Sequence, residues 1–167
     1  MGWPFGDIIR LLILTGARRN EIGSLRWSEI NGDVASLKGE RTKNGEPHNI
    51  PLSKGAAIVL QRVPRIANSE RVFTTNGKTS VSGWSRAKRK LDELSKVKDW
   101  RIHDLRRTVA TGLQRLGVNL QTIEAVLGHT SGSRSGVVGV YQRHSFDAEK
   151  RAALDAWGAH VLALTNG

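Results

Sequence analysis

Two short β-type runs, Val34–Leu37 and His48–Pro51, each follow closely on a turn signal, Gly32-Asp33 and Asn44-Gly45. A pair of strands this short is not stable alone and needs helices to cover one face. The turn chemistry predicts a small antiparallel sheet with Lys43 at the hairpin tip. The flanking patterns supply the helices. Asp7 to Leu14 is apolar-rich and stops near Gly16, and Asn20 to Leu25 fits a short helix with Asn20 as cap and Glu21 in its first turn. Ser53 can cap a helix reaching about Val63, and Val72-Phe73-Thr74 reads as a short strand leading into the loop Asn76-Gly77-Lys78.

The second half reads as helix after helix. Ser82 to Lys96 carries Trp84, Leu91 and Leu94 at roughly helical spacing. Asp104 can cap a helix to Leu116 that Gly117 stops, and Asn119 starts another that ends at Leu127-Gly128. A loop at Ser131 to Gly136 and a short helix around Tyr141 follow. A last helix, Asp147 to Leu164, lines up Ala153, Leu154, Trp157, Val161 and Leu164 on one face. The expected fold class is mixed α/β, mostly helical, with one small antiparallel sheet in the N-terminal half, all in a single domain of 167 residues.

Charge narrows the function. The chain carries 26 Lys and Arg against 15 Asp and Glu, a net charge of +11. Such an excess favours a polyanionic partner, because neutralising phosphates releases condensed counterions. It is spread over several elements and rich in Arg, the better phosphate fork. A membrane surface is disfavoured, since no long helix sets a bulky apolar face opposite a cationic one, and the run Ile8 to Leu14 is too short to cross a bilayer. The opening residues lack a secretory pattern, so the expected compartment is cytoplasmic. There is no cysteine and no HxxxH or HExxH spacing, so neither a metal site nor another cofactor is expected. Asn76-Gly77-Lys78-Thr79-Ser80 ends like a phosphate-binding loop, but Val72 stands where the upstream glycine belongs.

Three constellations could carry chemistry. In His103-Asp-Leu-Arg106-Arg107, positions i and i+3 share a helix face, so His103 and Arg106 can address one anion. The same pattern also fits a basic surface helix with a buried histidine. Arg18 follows a Gly-terminated helix in Thr15-Gly16-Ala17-Arg18, and Lys43 sits at the hairpin tip; either alone fits a solvated surface. Leu127-Gly128-His129 is followed by Tyr141, the single tyrosine, which by itself would fit core packing against the nearby valines.

In this order the segments resemble those of tyrosine recombinases of the phage-integrase type. TGARRNEIGSLRWSEI resembles the first arginine motif and RTKNGEPHNIPLS the hairpin lysine motif. HDLRRTVATGLQRLG resembles the His-x-x-Arg motif, LGH the following histidine motif and GVYQRH the nucleophile segment. The likeness runs from about Ile8 to about Ala153 and looks closest to prophage integrases of proteobacterial type. It implies the catalytic fold of that family and a site-specific DNA recombinase that works without metal or ATP. Arg18 and Arg106 would clamp the scissile phosphate and Tyr141 would attack it. His103 would accept the phenolic proton and Lys43 protonate the departing oxygen. His129 would hydrogen-bond the phosphate, and Glu21 would orient the arginines. The implied partner is double-stranded DNA at attachment sites, bound as a homotetramer by a chain that is monomeric alone, with no small-molecule substrate. The family's N-terminal DNA-clamping domain is expected to be missing from these 167 residues, which would weaken DNA binding.

A competing expectation comes from Thr108 to His129, which reads as helix, glycine turn, helix. A non-catalytic DNA-binding regulator or an inactive integrase fragment would account for the charge and that motif. It leaves Arg18, Lys43 and Tyr141 without a role. A relaxing topoisomerase of related chemistry is a third possibility, separable by strand exchange between two duplexes.

Overall fold

The structure, a computed structural model, describes residues 1–129 and 145–165. In chain order come α1 (Phe5–Thr15), α2 (Arg19–Gly23), a 3-10 turn at Trp27–Glu29, and strands β1 (Ile30–Asn31), β2 (Val34–Leu37) and β3 (His48–Pro51). The helices α3 (Lys54–Gln61), α4 (Trp84–Ser95), α5 (Asp104–Arg115), α6 (Leu120–Leu127) and α7 (Asp147–Thr165) follow. This is the mixed, mostly helical architecture with one small sheet that the sequence predicts. The loop at 131–136 and the short helix around Tyr141 lie outside the described residues.

The three strands form one antiparallel sheet in the order β1-β2-β3, with Ala35 opposite Ile50 and Leu37 opposite His48. Side chains alternate across a strand, so these four residues share one face, and that face is buried against the helices. The link from β2 to β3 is a long one, residues 38–47, with its own 3-10 turn at Gly39–Arg41. A Cβ on Gly39 would lie 2.0 Å from the Gly45 carbonyl oxygen, so the two limbs of this loop touch only because residue 39 is glycine.

The core gathers on α1. Ile8 and Leu11 are fully buried where α1 meets α3, α5 and α7. The glycine stops behave as read: Gly16, Gly117 and Gly128 all take left-handed backbone angles after their helices. At the end of α6 the Gly128 amide donates to the Ala125 carbonyl and the His129 amide to the Glu124 carbonyl, the paired bonds of a Schellman turn. The last helix packs on its own chain. Trp157 lies across Gly112 of α5 and donates its indole N–H to the Ile13 carbonyl at 2.7 Å, with Ala153 and Leu154 buried beside it. Leu164 at its far end is exposed.

Some local expectations differ from what is observed. The first residue of the second helix is Arg19, capped by Arg18 rather than Asn20, because the Glu21 carboxylate takes the Arg18 backbone N–H. His103 rather than Asp104 occupies the cap of α5; the Asp104 carboxylate turns back to the Arg101 N–H. Ser53 stands at the cap of α3, but its hydroxyl is buried against Gly158 and makes no capping bond. Val72 and Phe73 are buried without forming a strand; residue 71 makes only a single bridge to Arg26. Among the described residues no helix is long and apolar enough to cross a membrane.

Candidate active site

Arg106 owes its position to helical periodicity. It lies three and seven residues before Val109 and Leu113, the fully buried face of α5, so its side chain points inward with them. It is 4% exposed, and its two terminal nitrogens donate to the carbonyls of Gly16 and Leu127. These carbonyls close α1 and α6, and the negative ends of two helices thus converge on one guanidinium. Burial, with the charge of Arg18 nearby and Glu21 opposing, lowers Arg106 to about 10, so it stays cationic at neutral pH.

Arg18 stands at the same junction. Its guanidinium donates to Glu21 at 2.8 Å and to the Gly128 carbonyl at 3.2 Å. Glu21, 2% exposed, thus grips Arg18 through both its backbone N–H and its side chain. The two arginines are tied to consecutive carbonyls of one turn, Leu127 and Gly128. Neither uses up its five donors on these partners, which leaves N–H groups for an anion.

A cleft of about 1120 Å³ opens over this junction. Arg18, Glu21, Lys43, His103, Arg106 and His129 all line it, so six of the seven residues singled out in the sequence meet at one place. Tyr141 lies outside the described residues. Arg19, Arg41, Lys88 and Arg101 add further cations to the lining, and among the described residues Glu21 is its one carboxylate. His103, His129 and Lys43 are exposed at the rim. Partial burial, then the charges of Arg106 and Arg18, hold His129 below the ordinary histidine range. Among the described residues no group of three or more His, Cys, Asp or Glu is placed to hold a metal ion.

Sequence reading overlooked three supporting residues. Arg41 donates to both carboxylate oxygens of Glu29 and to the hydroxyl and carbonyl of Ser24, which fastens the loop bearing Lys43 to the end of α2. Asn44 reaches the Gly128 carbonyl at 3.4 Å. His48 is buried beneath the same glycine. Period-two alternation from Ile50 would have marked His48 as a polar residue on the core face. Nothing short of tertiary structure marks the partners of Arg41.

Helix, glycine turn and helix do follow one another at α5 and α6. However, α6 buries Thr122, Ile123, Val126 and Leu127, and its sequence LQTIEAVL holds no Lys or Arg. With half of its eight residues buried and no cation on its open face, α6 is a core helix that presents Gly128 and His129.

Residues 7–147 match the phage integrase family. A tyrosine recombinase of Thermosipho africanus is 30% identical over 86% of this chain and 52% of its own length. Prophage integrase IntZ of Escherichia coli K12 is 29% identical over 95% of this chain and 40% of its own. The chain therefore spans about half the length, or less, of these relatives. Among solved structures, XerA recombinase superposes with a TM-score of 0.61 at 22% identity, over 87% of this chain and 54% of that one. A lambda integrase fragment bound to a core site gives 0.59 at 19%, over 84% and 52%. These likenesses carry the fold, and the match across 7–147 carries the lineage: the chain belongs to the phage integrase family.

Proposed function

We propose that the chain is the catalytic domain of a site-specific DNA recombinase that cuts and rejoins DNA through Tyr141. The observation that carries this reading is the convergence of Arg18, Lys43, His103, Arg106 and His129 on one cationic cleft from four separate segments. Two guanidiniums held in place by backbone carbonyls and Glu21 suit the charge that builds on a pentacoordinate phosphorus, and they need no reorganisation as it develops.

In the proposed reaction the Tyr141 oxygen forms a bond to phosphorus as the bond to the 5′ oxygen breaks. His103 takes the phenolic proton, which a group of reference pKa about 10 does not release unaided. Lys43 protonates the departing 5′ oxygen. The products are a 3′-phosphotyrosyl link and a free 5′-hydroxyl. His129 donates a hydrogen bond to the phosphate, and Glu21 orients the arginines. Rejoining is the reverse attack by a 5′-hydroxyl, and the covalent link conserves the bond energy without ATP. The arginines take the place of a metal. The partner is double-stranded DNA at attachment sites, met in the cytoplasm by a chain that is monomeric alone and assembles as a homotetramer on DNA.

Covalent trapping on nicked duplexes drawn from a pool of candidate sites tests the reading. A denaturant-resistant adduct formed by the native chain and absent in Tyr141→Phe is expected. An adduct that survives in Tyr141→Phe would overturn the nucleophile, and DNA binding with no adduct on any duplex would favour a regulator or an inactive integrase fragment.

A further inference from the structure

His48 is a buried titratable group that the reaction above does not use. Strand alternation turns it inward beside Ile50, and it is 6% exposed. Its ring lies against Gly128: a Cβ on that glycine would meet the His48 Cε1 and Nδ1 at 3.0 Å. Neither ring nitrogen has a hydrogen-bond partner among the described residues. The peptide resting on the ring is the one whose carbonyl accepts from Arg18 and Asn44, and the preceding carbonyl accepts from Arg106.

We propose that His48 is a positioning residue whose flat ring, pressed under Gly128, sets the two carbonyls that aim Arg18 and Arg106 into the cleft. The role is one of shape and of neutrality. Arg106 on α5, Arg18 at the start of α2 and Lys150 on α7 all bring positive charge toward the ring, and Glu21 is the one carboxylate facing it. With burial, these cations hold the imidazole down to about 4, so the wedge is uncharged at any working pH. A second cation in that space would push against both guanidiniums. A bulkier glycine replacement would collide with the ring, which is why the LGH turn and His48 form a matched pair.

The proposal rests on the phosphoryl-transfer reading for the purpose it gives the arginines, but its test does not need DNA cleavage. Orthovanadate, a tetrahedral oxyanion with the shape of phosphate, serves as the probe. His48→Phe keeps a flat ring and removes both nitrogens; His48→Val suits the strand and removes the ring. We expect orthovanadate affinity within about twofold of native in His48→Phe and roughly tenfold weaker in His48→Val. Single-turnover adduct formation should be native-like in the first and fall roughly a hundredfold in the second, with duplex affinity unchanged in both. Thermal melts establish that both variants are folded, and His48→Ile replaces the valine if that variant melts below the assay temperature. Native behaviour of the ringless variant overturns the proposal. A phenylalanine variant as impaired as the valine overturns it too, because the ring nitrogens would then be the active feature. If the native chain binds orthovanadate but forms no Tyr141-dependent adduct, the recombinase reading fails while the His48 comparison still stands or falls on anion affinity.

Discussion

The floor and the rim of the cleft are built differently. On the floor, buried Arg106 is fixed by the Gly16 and Leu127 carbonyls, and half-buried Arg18 by Glu21 and the Gly128 carbonyl. At the rim, Lys43, His103 and His129 stand in solvent on a loop, a helix cap and a helix stop. The guanidiniums proposed to stabilise charge are thus anchored to backbone and carboxylate, whereas the residues proposed to move protons, His103 and Lys43, are exposed. Electrostatic preorganisation requires dipoles that cannot relax, whereas proton transfer requires contact with a substrate that arrives from outside. Stability and activity should therefore separate between the two regions.

The largest effect is expected at Arg106. Arg106→Ala leaves the Gly16 and Leu127 carbonyls without their donor and Glu21 with one fewer neighbouring cation. Loss of about 3 kcal/mol by urea denaturation and abolition of adduct formation are expected. Unchanged stability would show that the floor is not part of the core. Next comes acid. An unfolded histidine titrates near 6.5, and folded His48 near 4, so between these values the unfolded chain holds more protons. Stability contributed by neutral His48 is complete above pH 6.5 and drains away toward pH 4, by up to about 3 kcal/mol, and His48→Phe should flatten that limb. A native chain as stable at pH 4.5 as at pH 7 would contradict the burial of a neutral ring. Glu21→Gln frees Arg18 from its ion pair and should cost about 2 kcal/mol in a thermal melt, with weakened anion binding. Smallest in stability is Lys43→Ala, within about 0.5 kcal/mol of native, although cleavage should fall roughly a hundredfold. A large stability loss there would place the rim within the core after all.

Much of this division is readable in the sequence, for local reasons. Gly16, Gly117 and Gly128 fix helix ends because the left-handed angle at each stop excludes most other residues. The i, i+3 spacing of His103 and Arg106 is legible, and so is the turn chemistry around Lys43. What is not legible depends on contacts distant in sequence. The four bonds of Arg41 to Ser24 and Glu29, the burial of Lys150 against the Asn49 carbonyl and the seat of His48 under Gly128 leave no trace in local propensity. Val72 and Phe73 have strand-forming side chains, but their burial is satisfied by packing, with no ladder beside them. Asn119 stands where the sequence starts a helix and caps it, accepting from the Thr122 N–H at 2.9 Å, because an Asx cap needs only its own next turn.

Mapping the covalent link decides whether Tyr141 is the nucleophile. The native chain would be trapped on a nicked duplex, denatured and digested, and the DNA-bearing peptide identified by mass spectrometry. A nucleotide joined through its 3′ phosphate to Tyr141, within the peptide that follows His129, is the expected product. A link to any other side chain, or a 5′ phosphate on Tyr141, would contradict it.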